Sequence, residues 1–323
     1  MQKLRVGVVG VGHLGQHHAR IYAQNPNCEL VGVVDIDKKT AQKIAKLYKV
    51  AAFTDYRALF GRVDACSIAV PTIHHFSIAK EFLEQGVHLL VEKPITTTVR
   101  EAHDLIEVAR KNGRILQVGH IERFNAAIMR LKQIIDQPAF IETHRLGPYD
   151  PRIKDIGVVL DLMIHDLDII LQLVNSPVTY VEAAGVGVYG DKEDIANARI
   201  HFESGCIANL TASRVTPNRK RKIRVFQKNA YISIDYIEQE MEIFRRVRIP
   251  NAPPGTPNVS IVRKKEGIKK EEPLKVELEH FVECVTRGTE PVVKGEHARD
   301  ALQLAVEISE LVKARLDGHF KNF

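Results

Sequence analysis

The chain has 323 residues, 45% of them apolar, and a formal net charge of +6 at neutral pH. That length exceeds what one core usually fills and predicts two domains, while the lack of an uninterrupted apolar run of spanning length excludes a helical membrane protein. The charge is mild and no nucleic-acid reader motif accompanies it, so neither DNA nor RNA is expected as a partner.

Four cysteines (Cys28, Cys66, Cys206, Cys284) are far apart and form no CxxC pair, which gives neither a disulfide framework nor a zinc site. The apolar run at the start is short, lacks a small-residue cleavage site and reads better as a strand than as a leader. A cytoplasmic location, with no membrane partner, is the expectation.

In chain order, RVGVV at 5–9 is followed by GVGHLG at 10–15, an amphipathic helix pattern over 14–24, the apolar run ELVGVV at 29–34 and then Asp35. Each part has a physical task in holding a dinucleotide. Gly10 permits the tight turn, Gly12 lets backbone approach a pyrophosphate, and Gly15 lets helix pack on strand. The helix opening near His13 and Leu14 offers unpaired N–H groups to phosphate. Asp35, with Ile36 beside it, stands where a carboxylate can accept from a ribose diol. Strand and helix patterns then alternate to about residue 120, with helices over 38–48, 74–85 and 98–111 and strands over 63–70, 87–91 and 115–119. This alternation predicts a parallel sheet covered on both faces, an α/β dinucleotide-binding domain over 1–122.

Beyond residue 122 the pattern changes. Helices are expected over 124–136 and 159–174, then alternating strands over 179–188, 196–203, 206–213, 223–227, 230–235 and 241–247. Residues 249–273, rich in proline, glycine and lysine, read as a mobile loop. Helical periodicity returns over 274–287 and 296–316. The second domain, 123–323, is therefore expected as α+β with an open, mainly antiparallel sheet, its C-terminal helix free to pack back on the first domain. Basic clusters at 219–224, 245–248 and 263–270 suit solvated strand edges and are compatible with a nucleotide-linked substrate.

Three segments follow predicted parallel strands: Pro71-Thr72, Glu92-Lys93-Pro94 and His120. Ligands of open α/β sheets bind outside those strand ends. Lys93 reads either as a solvated cap or as a donor to a substrate hydroxyl. On the helix VVLDLMIHDLDII, Asp161 and His165 are four residues apart and share a face, with Asp168 near the same stripe. That pair is either an interior histidine with its partner or a general base with an orienting acid. No metal-ligand spacing is present; His17-His18 and His74-His75 diverge on a helix.

Together GVGHLGQHH at 10–18, Asp35, AVPTIHH at 69–75, Glu92-Lys93-Pro94, GHIERFN at 119–125 and the Asp161/His165/Asp168 helix resemble the Gfo/Idh/MocA family of nicotinamide-dependent sugar and cyclitol oxidoreductases. The resemblance implies a Rossmann domain followed by an α+β domain whose open sheet forms a homodimer or homotetramer. It implies Lys93, Asp161 and His165 as the catalytic set. The expected cofactor-binding residues are Gly10, Gly12, His13, Leu14, Gly15, Asp35, Ile36, Val70, Pro71, Thr72, His75, Glu92, Lys93 and His120.

NAD is the expected cofactor because a carboxylate at Asp35 repels a 2′-phosphate, although Lys38 and Lys39 leave NADP open. One departure stands out: Met163 replaces a glycine frequent between the Asp and the His, filling space near the expected sugar. ETHRLGPYDPR at 142–152 and IANARIHFESGCIANLTASR at 195–214 are similar to the branch that oxidises the 3-hydroxyl of UDP-N-acetylglucosamine. Its keto product passes to a partner aminotransferase for lipid A assembly. Arg123, Phe124, Asn125, Arg152, Lys154 and Arg214 are then candidate substrate contacts. A dehydrogenase of a free cyclitol, sugar or dihydrodiol, and a cofactor-binding regulator without catalysis, are the alternatives.

Overall fold

A computed structural model of the chain describes residues 3–150, 156–250 and 257–319. The chain divides into two compact units, Met1–Phe124 with Glu272–Leu302, and Asn125–Glu271 with Gln303–Phe323.

The first unit runs β1 (Leu4–Val9), α1 (Gly15–Gln24), β2 (Cys28–Val34), α2 (Lys38–Tyr48), β3 (Ala51–Phe53), β4 (Ala65–Ile68), α3 (His75–Glu84), β5 (His88–Glu92), α4 (Val99–Lys111) and β6 (Leu116–Gly119). Its strands form one sheet in the order β3-β2-β1-β4-β5-β6, every pair parallel. Val6, Val8, Ala65, Ile68, Leu89 and Val91 are fully buried, as expected of strands covered on both faces. Helix α4 begins at a capping box in which Thr98 and Glu101 satisfy each other's backbone N–H.

The sequence predicts a cut near residue 122 together with a C-terminal helix able to pack back on the first domain. Residues 272–302 belong to the first unit. Helix α7 (Pro273–Arg287), which comes late in the chain, contributes Leu274, Leu278, Phe281 and Val282 to the core of Val6, Val8, Tyr22 and Val33. Burying that apolar stripe is what returns the chain to its first unit.

The second unit begins with α5 (Ala126–Ile134) and β7 (Phe140–Leu146). A π-turn over Val159–Met163 then leads into α6 (Ile164–Val174). There follow β8 (Val178–Val186), β9 (Ile195–Phe202), β10 (Ile207–Ser213), β11 (Lys220–Gln227), β12 (Ala230–Asp235), β13 (Glu240–Arg248) and β14 (Val259–Glu266). Helix α8 (Gly295–His319) closes the described chain. The eight strands lie in the order β14-β13-β12-β11-β7-β10-β9-β8. Only β7 and β10 pair in parallel. Alternating residues such as Ala196, Ala198, Ile200 and Phe202 are buried, and the residues between them face outward.

Two strands absent from the sequence expectation, β3 and β7, are present, and so is β14 in part of the segment read as a mobile loop. Charged residues of this segment pair across the ladder, Arg263 with Glu242 and Lys265 with Glu240. Cross-strand pairs of this kind are the sheet counterpart of helical ion pairs.

Burial shifts several histidines toward the neutral form. It is the largest cause of the lowered pKa of His75, His144 and His280, and burial followed by Arg114 takes His88 down to about 4. The His88 Nδ1 accepts the Ile115 N–H at 3.0 Å, a bond open only to the unprotonated nitrogen. An unfolded histidine titrates near ~6.5, so between there and about 4 the unfolded chain binds more protons than the folded one. Stability therefore falls as pH drops through that window. The melting temperature is expected to decline from roughly pH 6.5 downward, and His88→Asn, which keeps an acceptor for the Ile115 N–H, should flatten part of the decline. A melting temperature that stays level to about pH 5 would contradict this.

Candidate active site

In the first unit, the ends of β1, β2, β4, β5 and β6 bring most of the expected cofactor residues to one edge of the sheet. The strand order reverses between β1 and β4, which is where a parallel α/β sheet leaves its crevice. Gly10 turns the chain out of β1 at φ 81°, and a Cβ there would lie 2.5 Å from the Ala69 carbonyl oxygen. At Gly15 a Cβ would lie 1.8 Å from the Gly10 carbonyl oxygen. Gly12 differs: nothing lies within 4 Å of the position its Cβ would take. The fold itself makes no steric demand for glycine at 12, so that open cradle fits backbone approach by a ligand.

Helix α1 has no capping side chain and no acid in its first turn, leaving its dipole end suited to phosphate. Asp35 is already oriented, its Oδ2 accepting the Val11 N–H and its Oδ1 the Asp37 N–H, each at 3.0 Å. Ile36 beside it is 94% exposed. His13, Leu14 and Pro71 are also exposed, and Val70 and Thr72 are half-buried. These residues fit a dinucleotide, with the Asp35 carboxylate toward a ribose and Gly12 with the α1 opening toward a diphosphate.

Other predicted cofactor residues stand behind that rim. His75 is buried, its ring nitrogens 2.8 Å from the Pro94 carbonyl oxygen and 2.9 Å from that of Val70; it braces the loops after β4 and β5. Glu92 is buried beside His18, Oε1 to Nε2 at 3.0 Å. Its carboxylate also fills the space beside Gly119, where a Cβ would approach within 2.8 Å. His120 is buried as well. Lys93, half-buried, follows Glu92 at the end of β5.

The second unit carries Asp161 and His165. Asp161 lies buried in the π-turn and His165, half-buried, in the first turn of α6. The sequence predicts a regular helix from 159; the π-turn, hydrogen-bonded i to i+5, is a local widening frequent at functional sites. Met163 is fully buried and so fills core volume. Asp168 is buried too.

Sequence reasoning missed Arg145 and Asp166. From β7, Arg145 grips Asp166 through Nε–Oδ2 at 3.0 Å and Nη2–Oδ1 at 2.9 Å, and its guanidinium lies 5.1 Å from the centroid of the Tyr236 ring. Both charges are buried, and the planar fork satisfies both carboxylate oxygens at once. The residue directly after His165 is thereby tied to the sheet. An acid on each side of an apolar helix turn was the available signal.

The described candidates for substrate contact each make contacts within the protein. Arg123 donates to the Val292 carbonyl oxygen at 3.3 Å, and Phe124 lies with its ring centroid 5.4 Å from that of His280. Asn125 caps α5, accepting the Ala127 N–H at 3.1 Å. Arg214 donates from Nε to Asp194 at 2.5 Å and from Nη1 to the Ile156 carbonyl oxygen at 2.8 Å. Burial raises the Asp194 pKa, but the Tyr189 and Val188 N–H groups and Arg214 outweigh it and leave the carboxyl below its ordinary value. Arg152 and Lys154 lie outside the described residues. Among the described residues no cluster of His, Cys, Asp or Glu could hold a metal ion, and no helix is long and apolar enough to cross a membrane.

The parallel sheet, glycine turn and oriented acid define a dinucleotide-binding domain. Residues 4–120 match the oxidoreductase family with an NAD-binding Rossmann fold, and residues 129–233 match the GFO/IDH/MocA C-terminal domain. The UDP-N-acetylglucosamine 3-dehydrogenase of Acidithiobacillus ferrooxidans is 37% identical over 98% of this chain and 99% of its own. A solved structure of that enzyme superposes with a TM-score of 0.90, covering 97% of this chain and 99% of that one. The scyllo-inositol 2-dehydrogenase (NAD(+)) of Bacillus subtilis is 28% identical over 94% of this chain and 92% of its own. A scyllo-inositol dehydrogenase from Lactobacillus casei, solved with NAD(H) and scyllo-inositol, shares the fold at a TM-score of 0.80 and 18% identity over 97% of this chain and 98% of that one. The chain belongs to the GFO/IDH/MocA family of oxidoreductases and carries that family's NAD-binding Rossmann fold.

Proposed function

We propose that the chain oxidises the 3-hydroxyl of UDP-N-acetylglucosamine to the 3-ketone. The observation that carries this reading is the end-to-end likeness to the Acidithiobacillus enzyme, 37% identical with both chains covered almost completely. Bound NAD supplies the hydride acceptor. His165 takes the hydroxyl proton, Asp161 orients His165 and favours its protonated form, and Lys93 holds the reacting oxygen as negative charge develops on it. Gly10, Gly12, His13, Leu14 and Gly15 hold the diphosphate, with Asp35 and Ile36 at the adenosine ribose. The carboxylate of Asp35 selects NAD over NADP. A downstream aminotransferase converts the ketone to an amine for lipid A assembly, in the cytoplasm, and the open sheet of the second unit joins copies of the chain.

A second reading, oxidation of a free cyclitol, is favoured by the full-length relative that acts on scyllo-inositol. The two separate on a panel of UDP-N-acetylglucosamine, UDP-glucose, scyllo-inositol and glucose with NAD, following NADH, with an aminotransferase and amino donor present to draw the ketone forward. UDP-N-acetylglucosamine is expected to outpace the others by at least about tenfold in kcat/KM. Turnover of the inositol with none of the UDP-sugars would replace the proposal with its rival.

A further inference from the structure

We propose that Glu193, on the connection between β8 and β9, is a positioning residue for Asp161, acting through the π-turn that carries it. The inference rests on the reading that Asp161 serves the reaction. A helix start leaves backbone N–H groups without intrahelical partners, and this one has no side-chain cap of its own. Glu193 supplies what is missing. Its carbonyl oxygen accepts the Val158 N–H at 2.9 Å, and its Oε1 accepts the Val159 N–H at 3.3 Å. A carboxylate there also opposes the positive end of the turn's dipole.

Gly157 makes room for this. A Cβ at 157 would lie 1.9 Å from the Glu193 Oε1 and 2.1 Å from its Cδ, so any side chain would expel the carboxylate. Glycine serves here by allowing this close approach, not by its φ, which does not lie in the left-handed region. The neighbouring acid tightens the same segment from its other side: Asp194 holds Arg214, whose Nη1 donates to the Ile156 carbonyl oxygen at 2.8 Å. Consecutive acids thus fix both flanks of Gly157. The Gly157 carbonyl oxygen in turn accepts the Asp161 N–H at 3.1 Å. The clamp is one hydrogen bond away from the backbone of Asp161, and a shift at 157 is passed directly to its carboxylate. Small displacements of a catalytic group are expensive in rate.

Five variants test this: Glu193→Ala, Glu193→Gln, Gly157→Ala, the double Gly157→Ala/Glu193→Ala, and Asp161→Asn, each measured for kcat, KM for UDP-N-acetylglucosamine, NAD affinity and melting temperature. Glu193→Ala should lower kcat by at least about tenfold with NAD affinity unchanged within about twofold. Glu193→Gln, which keeps an acceptor oxygen, should recover most of that loss. Gly157→Ala should match Glu193→Ala in the native background and cost little more once Glu193 is already alanine, because both act through one contact. Should alanine at 193 prevent folding, Glu193→Asp, which withdraws the carboxylate from the Val159 N–H, carries the same expectation. If Asp161→Asn abolishes turnover while the variants at 193 and 157 keep native kcat, Glu193 is a structural cap only and the inference fails. Equal costs for Gly157→Ala in both backgrounds would also overturn it. Native turnover in Asp161→Asn would overturn the reading of Asp161 itself.

Discussion

Replacing Lys93 or His165 separately by alanine is expected to lower kcat by about a hundred- to ten-thousand-fold while NAD still binds. Each side chain is assigned an interaction that strengthens as the reaction proceeds. In the proposed chemistry His165 gains a proton and Lys93 faces an oxygen that gains charge, so their loss falls on kcat more than on KM. Both are half-buried, outside the apolar cores, so truncation leaves no large cavity and stability should stay close to native. Lys93 follows directly on Glu92, whose buried contact with His18 fixes the end of β5; alanine at 93 leaves that contact in place. Steady-state kinetics with a separate NAD titration reads the result. A variant at either position that turns over at the native rate would remove that residue from the proposed chemistry.

The glycines of the first turn should fail in two different ways. Gly15→Ala places a Cβ 1.8 Å from the Gly10 carbonyl oxygen and 3.3 Å from the Ala69 Cβ. Backbone must move, and overpacking of this kind costs ~1–3 kcal/mol or more, so the melting temperature falls along with NAD affinity. Gly12→Val meets no protein atom within 4 Å of its Cβ. Stability should be unchanged, while NAD affinity drops by at least about tenfold, or ~1.4 kcal/mol, because the added side chain enters the cradle offered to the diphosphate. Calorimetric melting beside NAD titration of both variants separates them. Native NAD affinity in Gly12→Val would show that the diphosphate does not approach at 12.

What the sequence revealed divides along physical lines. The glycine turn, the strands around it and Asp35 were readable because each rests on local pattern: an apolar run, a turn residue, a period. Strand β7 escaped because its inward positions include Thr143 and Arg145, so its alternation does not separate apolar from polar residues. The partner that makes Arg145 an interior residue, Asp166, is remote in sequence. Strand β14 was hidden by its charges, which find opposite charges only once β13 lies beside it. The return of α7 to the first unit depends on a core assembled from the other end of the chain. At the site, the types and spacing of Asp161 and His165 stood out on an apolar helix. The π-turn that sets their register did not, since Glu193 and Gly157 meet only in the fold.

The proposed chemistry rests on one transfer, and isotope labelling observes it directly. UDP-N-acetylglucosamine carrying deuterium at C3, incubated with the protein, NAD and an aminotransferase that removes the ketone, should yield reduced cofactor bearing the deuterium, read by mass spectrometry. Reduced cofactor without the label, or no reduced cofactor under conditions that trap the ketone, would contradict oxidation at the 3-hydroxyl.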